Sequence, residues 1–143
     1  MQLKDIINTI RDFSQQPHLQ FERLVLKLFE KHLDELGKDF TTYPTFHDVK
    51  GGIDASAPSG INNDVPSIIE IKFIHSRSIN TLLNTLLFFA TKTRALHGKF
   101  NFLIVIGLEL KKAERDKLET SIKSKFPDFH FEIWDVNNLA PLF

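Results

Sequence analysis

One run of eight residues, Ser67 to Ile74, constrains this chain more than any other part of it: Ser-Ile-Ile-Glu-Ile-Lys-Phe-Ile. It is rich in β-branched and aromatic residues, the composition of a strand. Residues two apart in a strand share a face, so Glu70 and Lys72 project together while Ile69, Ile71 and Phe73 project the other way into a core. A carboxylate and an ammonium then sit among apolar neighbours. Burying them is costly unless they pair or hold a metal. A same-face salt pair on a half-exposed strand explains those two residues on their own equally well.

The rest of the chain supplies a setting for that strand. Ile6, Ile7, Ile10 and Phe13 recur at helical spacing over Leu3 to Phe13, and Pro17 separates this first helix from a second. The second helix runs from Leu19 to about Leu36, with Phe21, Leu24, Val25, Leu28, Phe29, Leu33 and Leu36 on one face and Gly37 placed to end it. Phe40 to Phe46, interrupted by Pro44, predicts an edge strand or an extended approach. Gly51-Gly52 turns the chain into a short strand, Ile53 to Ala57, and turn residues around Pro58 to Asp64 lead back through the Ser67 strand. Ser78 caps a helix predicted to run toward Leu96, with Gly98 as its stop. Its wide apolar surface, Leu82 to Phe89, predicts either a sandwiched position or a subunit interface. A buried strand over Phe102 to Ile106, a helix over Lys111 to Phe126 with Ala113, Leu118 and Ile122 inward, and a strand over Phe129 to Trp134 complete the order. Three strands of a meander followed by alternating helix and strand predict an α/β sandwich with a mixed sheet, in a single domain.

Asp54 raises the interest of Glu70 and Lys72, because it lies on the strand predicted to pair with theirs. The chain has no cysteine, which leaves oxygen and imidazole as metal ligands and excludes disulfides and thiolate chemistry. Two carboxylates from neighbouring strands suit a hard divalent cation such as magnesium, which prefers oxygen ligands and keeps waters for a substrate phosphate. Lys72 then stands where water meets that phosphate, to orient or deprotonate the water and to offset charge building on the phosphoryl oxygens.

The order of these pieces resembles the PD-(D/E)xK nuclease superfamily, and within it the Mrr-like restriction endonuclease branch. Phe21-Glu22 on a helix, Gly51-Gly52-Ile53-Asp54 at the second strand and Glu70-Ile71-Lys72 on the third carry the resemblance, which extends to Ile133-Trp134-Asp135 and Asn138-Leu139. Ile53 stands where the superfamily's eponymous proline stands. The resemblance implies a restriction-endonuclease-like three-layer sandwich, a central mixed β-sheet flanked by helices. It also implies metal-dependent hydrolysis of DNA phosphodiesters with magnesium, manganese substituting. Asp54 and Glu70 would be the metal ligands, Lys72 the catalytic lysine, and Glu22 a support to the metal directly or through water. An effector role in bacterial restriction or anti-phage defence follows from the same likeness.

Other residues are secondary. His75 and Arg77, just past the Glu70 strand, and Lys50, before the glycines, are candidates for DNA contact; His47-Asp48 read more simply as a surface connection, and Asp64 as turn chemistry. Lys92, Arg94, His97 and Lys99 form a candidate basic patch, although a helix C-terminus favours cations regardless of function. The mixed-sign run from Lys111 to Glu119 reads as a solvated helix face. Eighteen basic residues balance eighteen acidic ones, so overall charge lends no support to a nucleic-acid partner, and any basic surface must be local. With no leader pattern and no bilayer-length apolar run, a cytoplasmic protein is expected. Cutting both DNA strands needs two sites, which predicts a homodimer or larger homo-oligomer. A sensor or NTPase domain in a larger polypeptide is expected to supply recognition. Two other classes fit the residues: a catalytically inactive binding or oligomerisation module of the same fold, and a resolvase-like or RNA-directed nuclease.

Overall fold

Helix α1, Leu3–Phe13, begins where the Asp5 carboxylate accepts the Gln2 N–H at 3.2 Å, and it buries Leu3 and Ile7. Residues 1–43, 53–61, 64–74 and 78–143 are described by this computed structural model. Helix α2, Pro17–Glu35, starts on the proline expected only to precede it. The fixed φ of proline suits a first helical position, whose N–H has no partner in any case. Gly37, at φ 68°, closes α2: its N–H reaches Asp34 O at 3.0 Å and that of Lys38 reaches Leu33 O at 2.8 Å. Both bonds satisfy carbonyls the helix leaves open.

The strands are β1 (Thr41–Thr42), β2 (Ala55–Ala57), β3 (Ser67–Lys72), β4 (Asn101–Ile106) and β5 (Phe131–Trp134), in spatial order β1-β2-β3-β4-β5 among the described residues. β1 to β3 are antiparallel neighbours, the predicted meander, whereas β3–β4 and β4–β5 are parallel. Parallel neighbours need crossovers, and α3 (Ile79–Lys92) and α4 (Lys112–Lys125) provide them. A last short helix, α5 (Val136–Leu139), follows β5.

Side-chain alternation sorts the core into two halves. Ile69, Ile71, Phe73, Leu103, Val105 and Trp134 face α1, α2 and α5. Ile68, Phe102, Ile104, Ile106 and Ile133 face α3 and α4. Helices thus cover both faces of the mixed sheet. β4 is buried from Phe102 to Ile106, which is why its sequence is continuously apolar rather than alternating. Truncating a side chain such as Ile104 there would cost about 2–5 kcal/mol.

The outer edge of β5 is occupied by Arg115. Its Nη1 donates to Ile133 O, and its Nη2 donates to Asn138 Oδ1 at 3.0 Å and lies 3.3 Å from Asp135 Oδ2.

Four details depart from the sequence expectation. Helix α3 stops at Lys92 rather than near Leu96, because the Thr93 hydroxyl takes Phe89 O at 2.9 Å and the chain tightens into a 3-10 turn, Arg94–Leu96. Leu36, grouped with the buried face of α2, is exposed at the helix C-cap. Of the two alternatives for the apolar surface of α3 the buried one holds: Leu82, Leu86, Phe89 and Ala90 join the chain's own core, with Phe88 exposed on the outer face. Ala113 is exposed rather than inward, since five residues at about 100° each place it some 140° from Leu118. His97 leaves the proposed basic patch and packs on rings, 4.5 Å from Phe129 and 5.6 Å from Phe126 between centroids. Burial lowers its pKa.

Candidate active site

The ladder between β2 and β3 ends at Ala55 opposite Ile69. One residue earlier, Asp54 N donates to Ile69 O at 3.1 Å, and Asp54 Oδ2 accepts the Ile71 N–H at 2.7 Å. A side chain therefore replaces backbone as the partner of β3, while Asp54 O still accepts from Tyr43 N of the β1 side at 2.9 Å. This fixes the carboxylate beside the middle of β3, where Glu70 stands.

Glu70, and Glu22 from α2, each lie close enough to Asp54 for their side chains to influence one another. Glu22 and Glu70 thus each approach Asp54, and all three are buried, with residue exposures of 3% for Glu22, 4% for Asp54 and 3% for Glu70. Lys72 Nζ lies 3.4 Å from Glu70 Oε1, and its side chain is 36% exposed, at the mouth of the cluster. Sequence reasoning named all four residues, and the fold brings them together.

Their electrostatics follow from crowding. Burial, reinforced by the Asp54 charge, pushes the Glu70 carboxyl up to about 9 against the pull of Lys72. Burial followed by the Asp54 charge raises Glu22 to about 7. Asp54 is also raised by burial, although the Ile71 N–H and Glu70 hold it down. Like charges this close cannot all ionise in a low-dielectric site, so protons are retained between them. Glu22 Oε2 has no hydrogen-bond partner among the described residues.

Asp135 shows what a buried acid with a structural task looks like here. It is 2% exposed, yet its oxygens accept from Leu110 N at 3.0 Å, Asn137 N at 2.9 Å and Asn138 N at 3.2 Å, beside the Arg115 guanidinium. It caps α5 and ties the chain after β4 to that cap. By contrast Asp54 accepts from one backbone donor, Ile71 N, and Glu70 has the Lys72 ammonium beside it.

No family model and no curated protein matches the chain. The site stands on its geometry.

Among the described residues no three His, Asp or Glu side chains are set around a common point as a ready metal cage. His18, one turn before Glu22 on α2, adds a positive influence on Asp54 and was not singled out from sequence. Its four-residue spacing from Glu22, which puts both on one helix face, was the available signal. Lys50, Gly51, Gly52, His75 and Arg77 lie outside the described residues, as do His47 and Asp48. Asp64 is exposed, as expected of a turn residue.

Proposed function

We propose that this chain is a metal-dependent nuclease domain of the restriction-endonuclease-like kind, hydrolysing DNA phosphodiesters at Asp54, Glu70 and Lys72. The observation that carries the reading is the approach of Glu22 and Glu70 to Asp54, all three buried, beside one partly exposed lysine that pairs with Glu70. The donor set is all oxygen, and Glu22 Oε2 is buried without a partner among the described residues. Those are the properties a hard divalent cation would use, replacing protons as it entered. Asp54 and Glu70 would hold magnesium, or manganese in its place, and Glu22 would support it. When bound, such an ion supplies Lewis-acid stabilisation of a phosphoryl oxygen and acidifies water.

The chain's own residues do the remainder. Lys72, at the mouth, faces the phosphate and offsets the charge that grows on its oxygens. Glu70 holds the Lys72 ammonium in that direction. The Ile71 N–H fixes the Asp54 carboxylate in orientation, so little rearrangement is needed when substrate arrives.

The test is nicking of supercoiled plasmid by the purified protein with magnesium or manganese, beside Asp54→Ala, Glu70→Ala and Lys72→Ala variants shown to be folded. Loss of at least about a hundredfold in rate is expected for each, the scale of a removed electrostatic or acid–base group. Cleavage that survives all three changes rejects the site. Absence of both cleavage and metal binding in the parent favours an interaction module of the same fold.

A further inference from the structure

Ile106, the last residue of β4, lies opposite Lys72 in the β3–β4 register. The next residue, Gly107, opens a groove of about 320 Å³ between α1 and the segment leading to α4. Gly107 is therefore one strand over and one residue on from Lys72, at the same end of the sheet, and the groove opens from there on the α1 side. Adjacent strands are about 4.8 Å apart. A DNA strand rises about 3.4 Å per nucleotide, so one that ran from Lys72 toward this groove would reach it within a few nucleotides.

Its lining is unlike the neutral chain around it. Lys4, Arg11 and Lys111 converge there against a single carboxylate, Glu109, whose Oε1 takes Lys4 Nζ at 2.8 Å. Arg11 is held in place: Nη2 donates to Gly107 O at 2.5 Å and its guanidinium carbon lies 4.8 Å from the Phe73 ring centroid. Lys111 and Lys112 stand at the start of α4, the positive end of the helix dipole, where acids are normally favoured. Two cations there stand against one acid of the same turn, Glu114. The nearby backbone donors are already engaged, Leu110 N with Asp135 and Lys111 N with Glu114, so recognition falls to side chains.

We propose that this groove is a second phosphate site, in which Lys4, Arg11 and Lys111 hold the nucleic-acid backbone beside the phosphate that Lys72 faces. The proposal rests on the nuclease reading for the identity of its ligand. The chemistry recognised is a phosphate group, whether of a DNA strand or of a free nucleotide. Phe73 connects the two sites: it follows Lys72 in the chain, packs on Phe21 next to Glu22, and carries Arg11 on its ring.

The experiment measures binding of a short fluorescent DNA duplex, with calcium to permit binding without cutting, across a salt series. The parent is compared with a Lys4→Ala/Lys111→Ala double variant and with Glu109→Gln. Each lost phosphate contact lowers the slope of log affinity against log salt by about 0.9, so the double variant should lose nearly 2 in slope and roughly tenfold in affinity at low salt. Glu109→Gln should bind several-fold more tightly, a gain that misfolding cannot mimic. If the parent binds and cuts DNA while both variants bind as it does, the groove proposal is overturned and the nuclease reading stands. If the parent binds no duplex, thymidine monophosphate is titrated while the amides of Gly107 to Lys111 are followed by NMR. Saturable shifts that the double variant loses keep the groove as a phosphate site for a free nucleotide and remove the nuclease reading. Unchanged amides overturn both.

Discussion

The protonated carboxyl cluster makes a quantitative demand on stability against pH. Glu70 and Glu22 have an ordinary value of 4.5 but are raised in the folded chain to about 9 and about 7. Once the unfolded chain has released these protons, above its ordinary carboxyl range, the folded chain still holds them. Their contribution is therefore fully present at low pH and is lost as pH rises through 7 and then 9. Between about pH 6 and pH 8 the Glu70 difference amounts to nearly one proton throughout, about 3 kcal/mol, and Glu22 contributes about 1 kcal/mol more. Urea unfolding in EDTA at several pH values in that window should show the parent losing about 4 kcal/mol from these two groups. Glu70→Gln, which has no proton to lose, isolates the larger part: its decline should be shallower by about 3 kcal/mol, and groups common to both proteins, His97 among them, cancel in the difference. Magnesium should flatten the parent's decline, because a bound cation replaces the protons. Parallel pH profiles for parent and Glu70→Gln would refute the reasoning, since they would mean that Glu70 ionises in the folded chain as it does in the unfolded one.

Gly107→Ala places a Cβ 2.7 and 2.8 Å from atoms of the Phe73 ring and 3.3 Å from Phe21, so it should cost about 1–3 kcal/mol and slow cleavage by displacing the residue after Lys72. A variant as stable as the parent in urea would show that Phe73 moves freely. Asp135→Ala removes the acceptor for three backbone N–H groups and the ion-pair partner of Arg115, and about 2–4 kcal/mol should go with it. Calorimetry finding less than about 1 kcal/mol would deny Asp135 its structural role. Ser78→Ala loses a cap whose Oγ accepts from Thr81 N at 3.4 Å; at that length about 0.5 kcal/mol is expected, and an unchanged Tm would mean the cap contributes nothing.

Much of the site was legible in the chain because strand alternation is a short-range property. The pairing of Glu70 with Lys72 on one side and of Ile69, Ile71 and Phe73 on the other needs nothing beyond β3 itself. The meander and the two crossovers likewise follow from local turn residues and apolar spacing. The position of Asp54 beside β3 was legible, but its substitution for backbone at Ile71 was not, because periodicity says which face a residue takes and not which N–H it meets. Glu22 entered through a resemblance. What brings it to Asp54 is the way α2 lies on the sheet, and that depends on the packing of Phe21, Val25 and Phe29 against residues distant in sequence. The same limit explains His97: its neighbours Lys92, Arg94 and Lys99 are charged, but the rings it packs on come from β4 and from the approach to β5. Ala113 was misread for a simpler reason, an apolar residue in a first turn being counted into a stripe it does not join.

Arg115 has a consequence for how copies of this chain can meet. A sheet ends in rims whose carbonyls and N–H groups invite another strand, and such invitations end in fibres as readily as in useful assemblies. At β5 the guanidinium already occupies the Ile133 carbonyl, anchored behind by Asp135 and Asn138. A visiting strand would have to evict a charge from its seat. Growth by strand addition is hindered on that side, which favours assembly through helix faces, whose contacts can close on themselves and stop.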